Sequence, residues 1–124
     1  MRLGTQTCQL KKGTVAHQAY RESRVQERHR HRYEFNSSYR EAFAKAGMIV
    51  SGYLPGKRLV EIVEIATHPW FVGCQFHPEL KSKPDRCHPL FRAFVKAVLQ
   101  DAQQKIVRPP VPVASSQPVS VAAS

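Results

Sequence analysis

The sequence predicts an α/β domain, or a piece of one, and three stretches carry that reading. Phe71 to Phe76 is a short apolar run of the kind that forms a strand buried on both faces. Pro89 to Gln100 places Leu90, Phe91, Phe94, Val95, Val98 and Leu99 at helical spacing on one apolar face. Met48 to Tyr53 and Leu59 to Ile65 are β-rich runs joined through Pro55-Gly56, which reads as a hairpin turn. The chain has no repeating βαβ series of its own, as expected of an incomplete α/β domain.

The remaining elements follow in order. Met1 to Leu10 alternates apolar and polar residues weakly, a short strand that Gly13 closes with a turn. Thr14 is placed to cap a helix through Tyr20. Arg24 to Phe35 is a strand candidate too charged to be central along its whole length. Ser38-Tyr39-Arg40-Glu41 fits a capping box, opening a helix to Ala46 with Ala42, Phe43 and Ala46 inward and Gly47 as its left-handed stop. Pro89 suits the first turn of the last helix. From residue 107 the Pro/Ser/Ala/Val composition cannot bury enough surface to offset its ordering entropy. The expected division is therefore a domain over 1–106 and a disordered tail over 107–124.

The chain has 124 residues and a formal charge of +10, which on composition alone invites a nucleic-acid or acidic-membrane partner. The densest basic block is Arg28-His29-Arg30-His31-Arg32. No stretch reaches the length of a membrane span, and Met1 to Lys12 lacks the apolar core of a secretory signal. Three widely spaced cysteines, Cys8, Cys74 and Cys87, argue against a disulfide scaffold and for a reducing, cytoplasmic setting.

The chemistry-bearing segment is Gln75-Phe76-His77-Pro78-Glu79 at the end of the buried-strand candidate. In open α/β sheets, sites assemble beyond the carboxyl ends of strands. Pro78 fixes the backbone between an imidazole and a carboxylate, and a carboxylate beside a histidine orients the ring and stabilises its cation. Such a pair is two-thirds of a Cys-His-Glu triad. By itself, a His-x-Glu tripeptide is better read as a surface turn with an incidental pair. Cys74, His77, Cys87 and His88 have a spacing that raises zinc, but adjacent Cys-His residues rarely ligate one ion comfortably; no metal site is expected.

Gln75-Phe76-His77-Pro78-Glu79 resembles the signature that ends class I glutamine amidotransferase domains. Glu27-Arg28-His29-Arg30-His31-Arg32-Tyr33-Glu34, Leu59-Val60-Glu61-Ile62-Val63-Glu64, His68-Pro69-Trp70-Phe71-Val72 and His88-Pro89-Leu90-Phe91 resemble, in order and spacing, the matching run of the CTP synthase family. Met1-Arg2-Leu3-Gly4 with Cys8-Gln9-Leu10 does likewise, so the likeness covers about residues 1 to 101.

The resemblance implies the C-terminal portion of a flavodoxin-like class I amidotransferase domain. It implies catalytic roles for His77 and Glu79, and for Arg32 a grip on the substrate glutamine, as a guanidinium can hold a carboxylate bidentately. The intact enzyme so implied releases ammonia from glutamine and adds it to UTP activated by ATP, with Mg2+, with GTP as activator, and as a homotetramer. For Arg28, His29, Arg30 and His31, a solvated strand face or structural pairing is the expectation.

The family's nucleophile sits on a Gly-x-Cys-x-Gly elbow that holds its cysteine near an oxyanion hole. None of Cys8, Cys74 or Cys87 has those flanks, and no phosphate-binding loop occurs. Met1 aligns with an internal methionine of the family. The chain is therefore expected to be a piece without glutaminase activity of its own and with apolar strand faces left bare. The alternative is a basic remnant that docks on a full-length synthase or binds nucleic acid weakly. Cys87 stands where the family has a glycine before His-Pro-Leu-Phe, which predicts strain if the backbone there has positive φ.

Overall fold

The structure is a computed structural model that describes residues 1–107; all of the expected tail beyond Val107 lies outside it. Five strands form one sheet: β1 (Arg2–Leu10), β2 (Arg24–His31), β3 (Ile49–Tyr53), β4 (Val60–Glu64) and β5 (Val72–Cys74). Their order is β2-β1-β3-β4-β5, and every ladder is antiparallel. Helices α1 (Val15–Tyr20) and α3 (Pro89–Val107) complete the layer, and α2 (Arg40–Lys45) precedes β3. The α/β class is the one predicted.

The core lies between the sheet and the helices. Cys8 and Leu10 of β1, Val25 of β2 and Ile62 of β4 meet Ala16 and Tyr20 of α1, Leu90 of α3, and Phe76. Enclosing Ile62 completely is worth roughly 1.5–3 kcal/mol. Gly52 of β3 lies so close to this cluster that a Cβ would stand 2.7 Å from the Ile62 side chain and 2.9 Å from Cys8 Sγ.

Helix α1 forms where Thr14 predicts it, the hydroxyl accepting from the His17 amide. A second cap comes from far along the chain. The buried carboxylate of Glu64 on β4 accepts from the amides of Val15 and Ala16 at 2.8 and 3.1 Å. These donors have no partner inside the helix, and a negative group there also complements the helix dipole.

Several expectations are corrected. Asn36, not Ser38, provides the cap near residue 38: its side chain accepts from the Ser38 amide and starts a short 3-10 turn over Ser37–Tyr39. Helix α2 then starts after Tyr39 with no side-chain cap, and Ala42, Phe43 and Ala46 are exposed; the Phe43 ring packs on Phe35 and Tyr39. Gly47 does stop it, at φ +92°.

The apolar run at residues 71–76 gives only the three-residue β5, half-buried at the edge of the sheet, so the expected doubly buried strand is not formed. Helix α3 runs beyond Gln100 to Val107, including the first residue assigned to the tail. Of its apolar face only Leu90 is buried; Phe94, Val95, Val98 and Leu99 are about half exposed, with Phe94 against Trp70. The main exposed apolar surface thus belongs to a helix rather than to the strands.

Candidate active site

The segment after β5 crosses from one side of the sheet to the other. The Gln75 amide donates to the Glu61 carbonyl on β4 at 2.8 Å, and two residues later the His77 amide donates to the Arg28 carbonyl on β2 at 2.9 Å. Phe76 between them is buried, its ring set against His29 and His88. This plug pins the backbone of His77, and Pro78 opens a 3-10 turn that brings Glu79 round beneath the imidazole.

His77 Nδ1 and Glu79 Oε1 are 2.7 Å apart, with both side chains partly open to solvent. The hydrogen bond from His77 holds the Glu79 carboxyl below the usual carboxylate range. An ionised carboxylate only accepts, so Nδ1 carries the hydrogen, and in the neutral ring Nε2 presents its lone pair. Among the described residues nothing bonds to Nε2. An oriented imidazole with a free basic nitrogen is set up to take a proton from a group in front of it.

Arg32 lies just beyond β2, exposed and without an ion pair among the described residues. Its neighbours are fixed. His31 Nδ1 donates to the Tyr33 carbonyl at 2.9 Å, and Arg2 clamps Glu34 through two hydrogen bonds of 2.6 and 2.9 Å. Burial favours the neutral acid, but the Arg2 hydrogen bonds and charge hold Glu34 below its ordinary range. Gln75 Nε2 also reaches the Tyr33 carbonyl, at 3.4 Å. No direct bond joins Arg32 to His77 or Glu79; Gln75 links the two loops, a role the motif alone did not suggest.

The rest of the basic block divides by strand alternation. Arg28 and Arg30 face solvent, whereas His29 is buried and hydrogen-bonds His31 at 2.9 Å, as expected of a solvated strand face with structural pairing. The same alternation buries Glu27, which accepts from Tyr20 Oη at 2.8 Å and from His88 Nε2 at 2.9 Å. This cluster fastens the start of α3 to β2. The period-two spacing of Val25, Glu27 and His29 was its available signal, masked by the density of charge.

None of the three cysteines hydrogen-bonds to His77. Cys8 is fully enclosed, and burial pushes its thiol up to about 12. Cys74 is half-buried with its thiol directed to the Phe76 carbonyl, and burial raises it to about 12 as well. Cys87 is exposed and unstrained: Arg21 is the one non-glycine residue with positive φ among those described, which corrects the expectation of strain at Cys87. Cys74, His77, Cys87 and His88 form no metal-binding group, since the described residues contain no set of three or more His, Cys, Asp or Glu suited to an ion. No described helix is long and apolar enough to cross a membrane.

Residues 1–97 match the family described as glutamine amidotransferase class-I. The chain is 63% identical over 99 residues to a CTP synthase of Pelobacter propionicus, covering 80% of this chain and 18% of that protein. A match to the CTP synthase of Thermomicrobium roseum is 55% identical over 127 residues and covers 100% of this chain and 22% of the relative. Among solved structures, the glutaminase domain of Trypanosoma brucei CTPS with bound acivicin superposes with a TM-score of 0.76 at 34% identity, over 81% of this chain and 40% of that one. The chain thus spans about a fifth of the length of the curated relatives it matches.

Proposed function

The chain belongs to the class-I glutamine amidotransferase family, and on that footing we propose that it is the His–Glu-bearing part of a CTP synthase glutaminase domain. The observation that carries the reading is the 2.7 Å bond from His77 Nδ1 to Glu79, with Nε2 left open. In this reading Nε2 takes the thiol proton of a cysteine on a Gly-x-Cys-x-Gly elbow that this sequence does not contain. The thiolate adds to the carboxamide carbon of glutamine. His77 returns the proton to the departing nitrogen, and the C–N bond breaks to release ammonia. His77 then deprotonates the water that hydrolyses the thioester to glutamate. Glu79 stabilises the imidazolium in both halves, and Arg32 grips the substrate carboxylate.

The ammonia would be consumed in a separate synthetase domain that aminates UTP activated by ATP and Mg2+, with GTP as activator and a homotetramer as the intact assembly. The described residues offer no donor set for a metal ion, so no step here runs through Mg2+. Alone, the chain hydrolyses no glutamine. The exposed α3 face favours, as a second reading, a non-enzymatic chain that docks on a full-length synthase, which co-purification with such an enzyme would reveal.

The test is ammonia release from glutamine, measured on the purified chain and on the chain fused behind the elbow-bearing half of a relative's glutaminase domain. The fusion is expected to be active and His77→Ala to abolish that activity. Turnover by the isolated chain, or by a folded His77→Ala fusion, would sink the reading.

A further inference from the structure

Glu61, His29, His31 and the carbonyl of Tyr33 stand in a row leading from β4 through the end of β2. His29 Nε2 faces Glu61 Oε2 at 3.3 Å, His29 Nδ1 faces His31 Nε2 at 2.9 Å, and His31 Nδ1 faces the Tyr33 oxygen at 2.9 Å. The side chains of His29 and Glu61 are both closed to solvent.

Three gaps need three protons. Two neutral imidazoles bring one each; a carboxylate and a carbonyl bring none. The Tyr33 oxygen can only accept, so His31 carries its hydrogen on Nδ1; the 2.9 Å contact between the rings, against 3.3 Å to Glu61, places that of His29 on Nδ1 as well. The gap left over lies between His29 Nε2 and Glu61 Oε2. Those two atoms are buried and lack any hydrogen-bond partner. Two lone pairs opposed inside a protein repel each other and forgo the water each has lost.

We infer that this row carries one proton beyond that count, held between Glu61 and His29, and that closing all three gaps fixes the Tyr33 carbonyl and with it the loop that presents Arg32. Glu61, His29 and His31 are then positioning residues for the glutamine grip, an inference that rests on the role proposed for Arg32.

The surroundings support that placement. Arg2 on β1 donates to the other Glu61 oxygen at 2.5 Å and is itself engaged by Glu34, whose carboxylate lies 3.8 Å from His31 Nδ1. Glu27 of β2 and the buried thiol of Cys8 on β1 are the remaining titratable neighbours, and Phe76 closes the side of the His29 ring. Burial, then the charge of Arg2, pushes His29 down to about 4, while burial raises Glu61. Both effects put the proton on the Glu61 carboxyl, donating to a neutral His29.

The experiment is nitrogen-15 NMR of the histidine rings and backbone amides of the full 124-residue chain, titrated from about pH 6 to about pH 10. At neutral pH, His29 and His31 are expected as neutral rings with the hydrogen on Nδ1, the reverse of the tautomer free histidine prefers. As the pH rises, both rings and the Arg32 amide should shift in one common step. Glu61→Gln places an amide N–H against His29 Nε2, so it should hold the same tautomers with no step at all.

An Nε2 hydrogen on either ring at neutral pH, or an unchanged step in Glu61→Gln, overturns the inference. An Arg32 amide that ignores the step overturns its positioning half. The wild-type tautomers together with the wild-type pH step decide the matter even if the variant fails to fold. None of these readouts needs glutamine hydrolysis, so a failed glutaminase reading would be recognised separately.

Discussion

The backbone amide of His77 donates to the carbonyl of Arg28 at 2.9 Å. Through this bond the turn carrying the imidazole is fastened to the outer edge of β2, four positions before Arg32. The two candidate site elements therefore share one strand as a reference frame, although they are far apart in sequence.

That frame predicts a kinetic division of labour in the fused glutaminase domain. Glu79→Gln removes the charge that stabilises the imidazolium and should lower kcat by about 100-fold or more with little change in KM. Arg32→Ala loses a charge-assisted contact and should raise KM for glutamine by about 10- to 100-fold. Steady-state kinetics on the two variants checks the split; the opposite pattern would reassign the roles.

Glu64→Ala removes the partner of both amides at the start of α1 and leaves one buried and one part-buried donor unsatisfied. The expected cost is about 3 kcal/mol. Denaturant unfolding of the chain would show it, together with faster hydrogen exchange at Val15 and Ala16. A change below about 0.5 kcal/mol would mean that water replaces the carboxylate without loss.

Acid should withdraw the stability that His29 contributes, an effect opposed by Glu61, whose carboxyl burial raises. The folded value of His29, pushed by burial to about 4, lies below the ordinary 6.5, so the unfolded chain binds a proton that the native state refuses. The stabilisation is fully present above 6.5 and is lost as the pH falls towards about 4, a change approaching 3 kcal/mol. Unfolding free energies at neutral and acid pH, compared between wild type and His29→Gln, isolate this contribution; equal acid losses in both would contradict it.

The exposed face of α3 predicts self-association that grows with concentration. Val95→Lys with Leu99→Lys alters two exposed positions one turn apart and should reduce it, at a stability cost within about 0.5 kcal/mol per site. Light scattering over a dilution series measures the first effect and thermal unfolding the second. Undiminished association would place the sticky surface elsewhere.

What could be read in advance follows from the range of the interaction responsible. The Thr14 cap, the Pro55-Gly56 hairpin and the Gly47 stop depend on residues within a few positions, and each appears where its local chemistry puts it. The His77–Glu79 pair was legible for the same reason. Asn36 caps the turn in place of the Ser38 box, and both side chains were chemically workable caps. Glu61 and Glu64 sit in an apolar-looking run, yet each is buried against a group 59 or 49 residues upstream. No local pattern announces such partners. The α3 periodicity correctly marked an apolar stripe but said nothing of what covers it.

The narrow join between β1 and β3, confined to Gln9↔Tyr53 and Leu10↔Gly52, has a kinetic consequence. On one side stands the β1–β2 ladder of eight pairs; on the other stands the run β3–β4–β5, built wholly from consecutive strands. Each half can zip from nearby chain segments, at small loop-closure cost. Their union requires long-range events: the two-pair seam, the Arg2–Glu61 contact and the docking of His77 on β2. Refolding should thus proceed as two early cooperative units that merge late, with the His77 turn among the last parts to set.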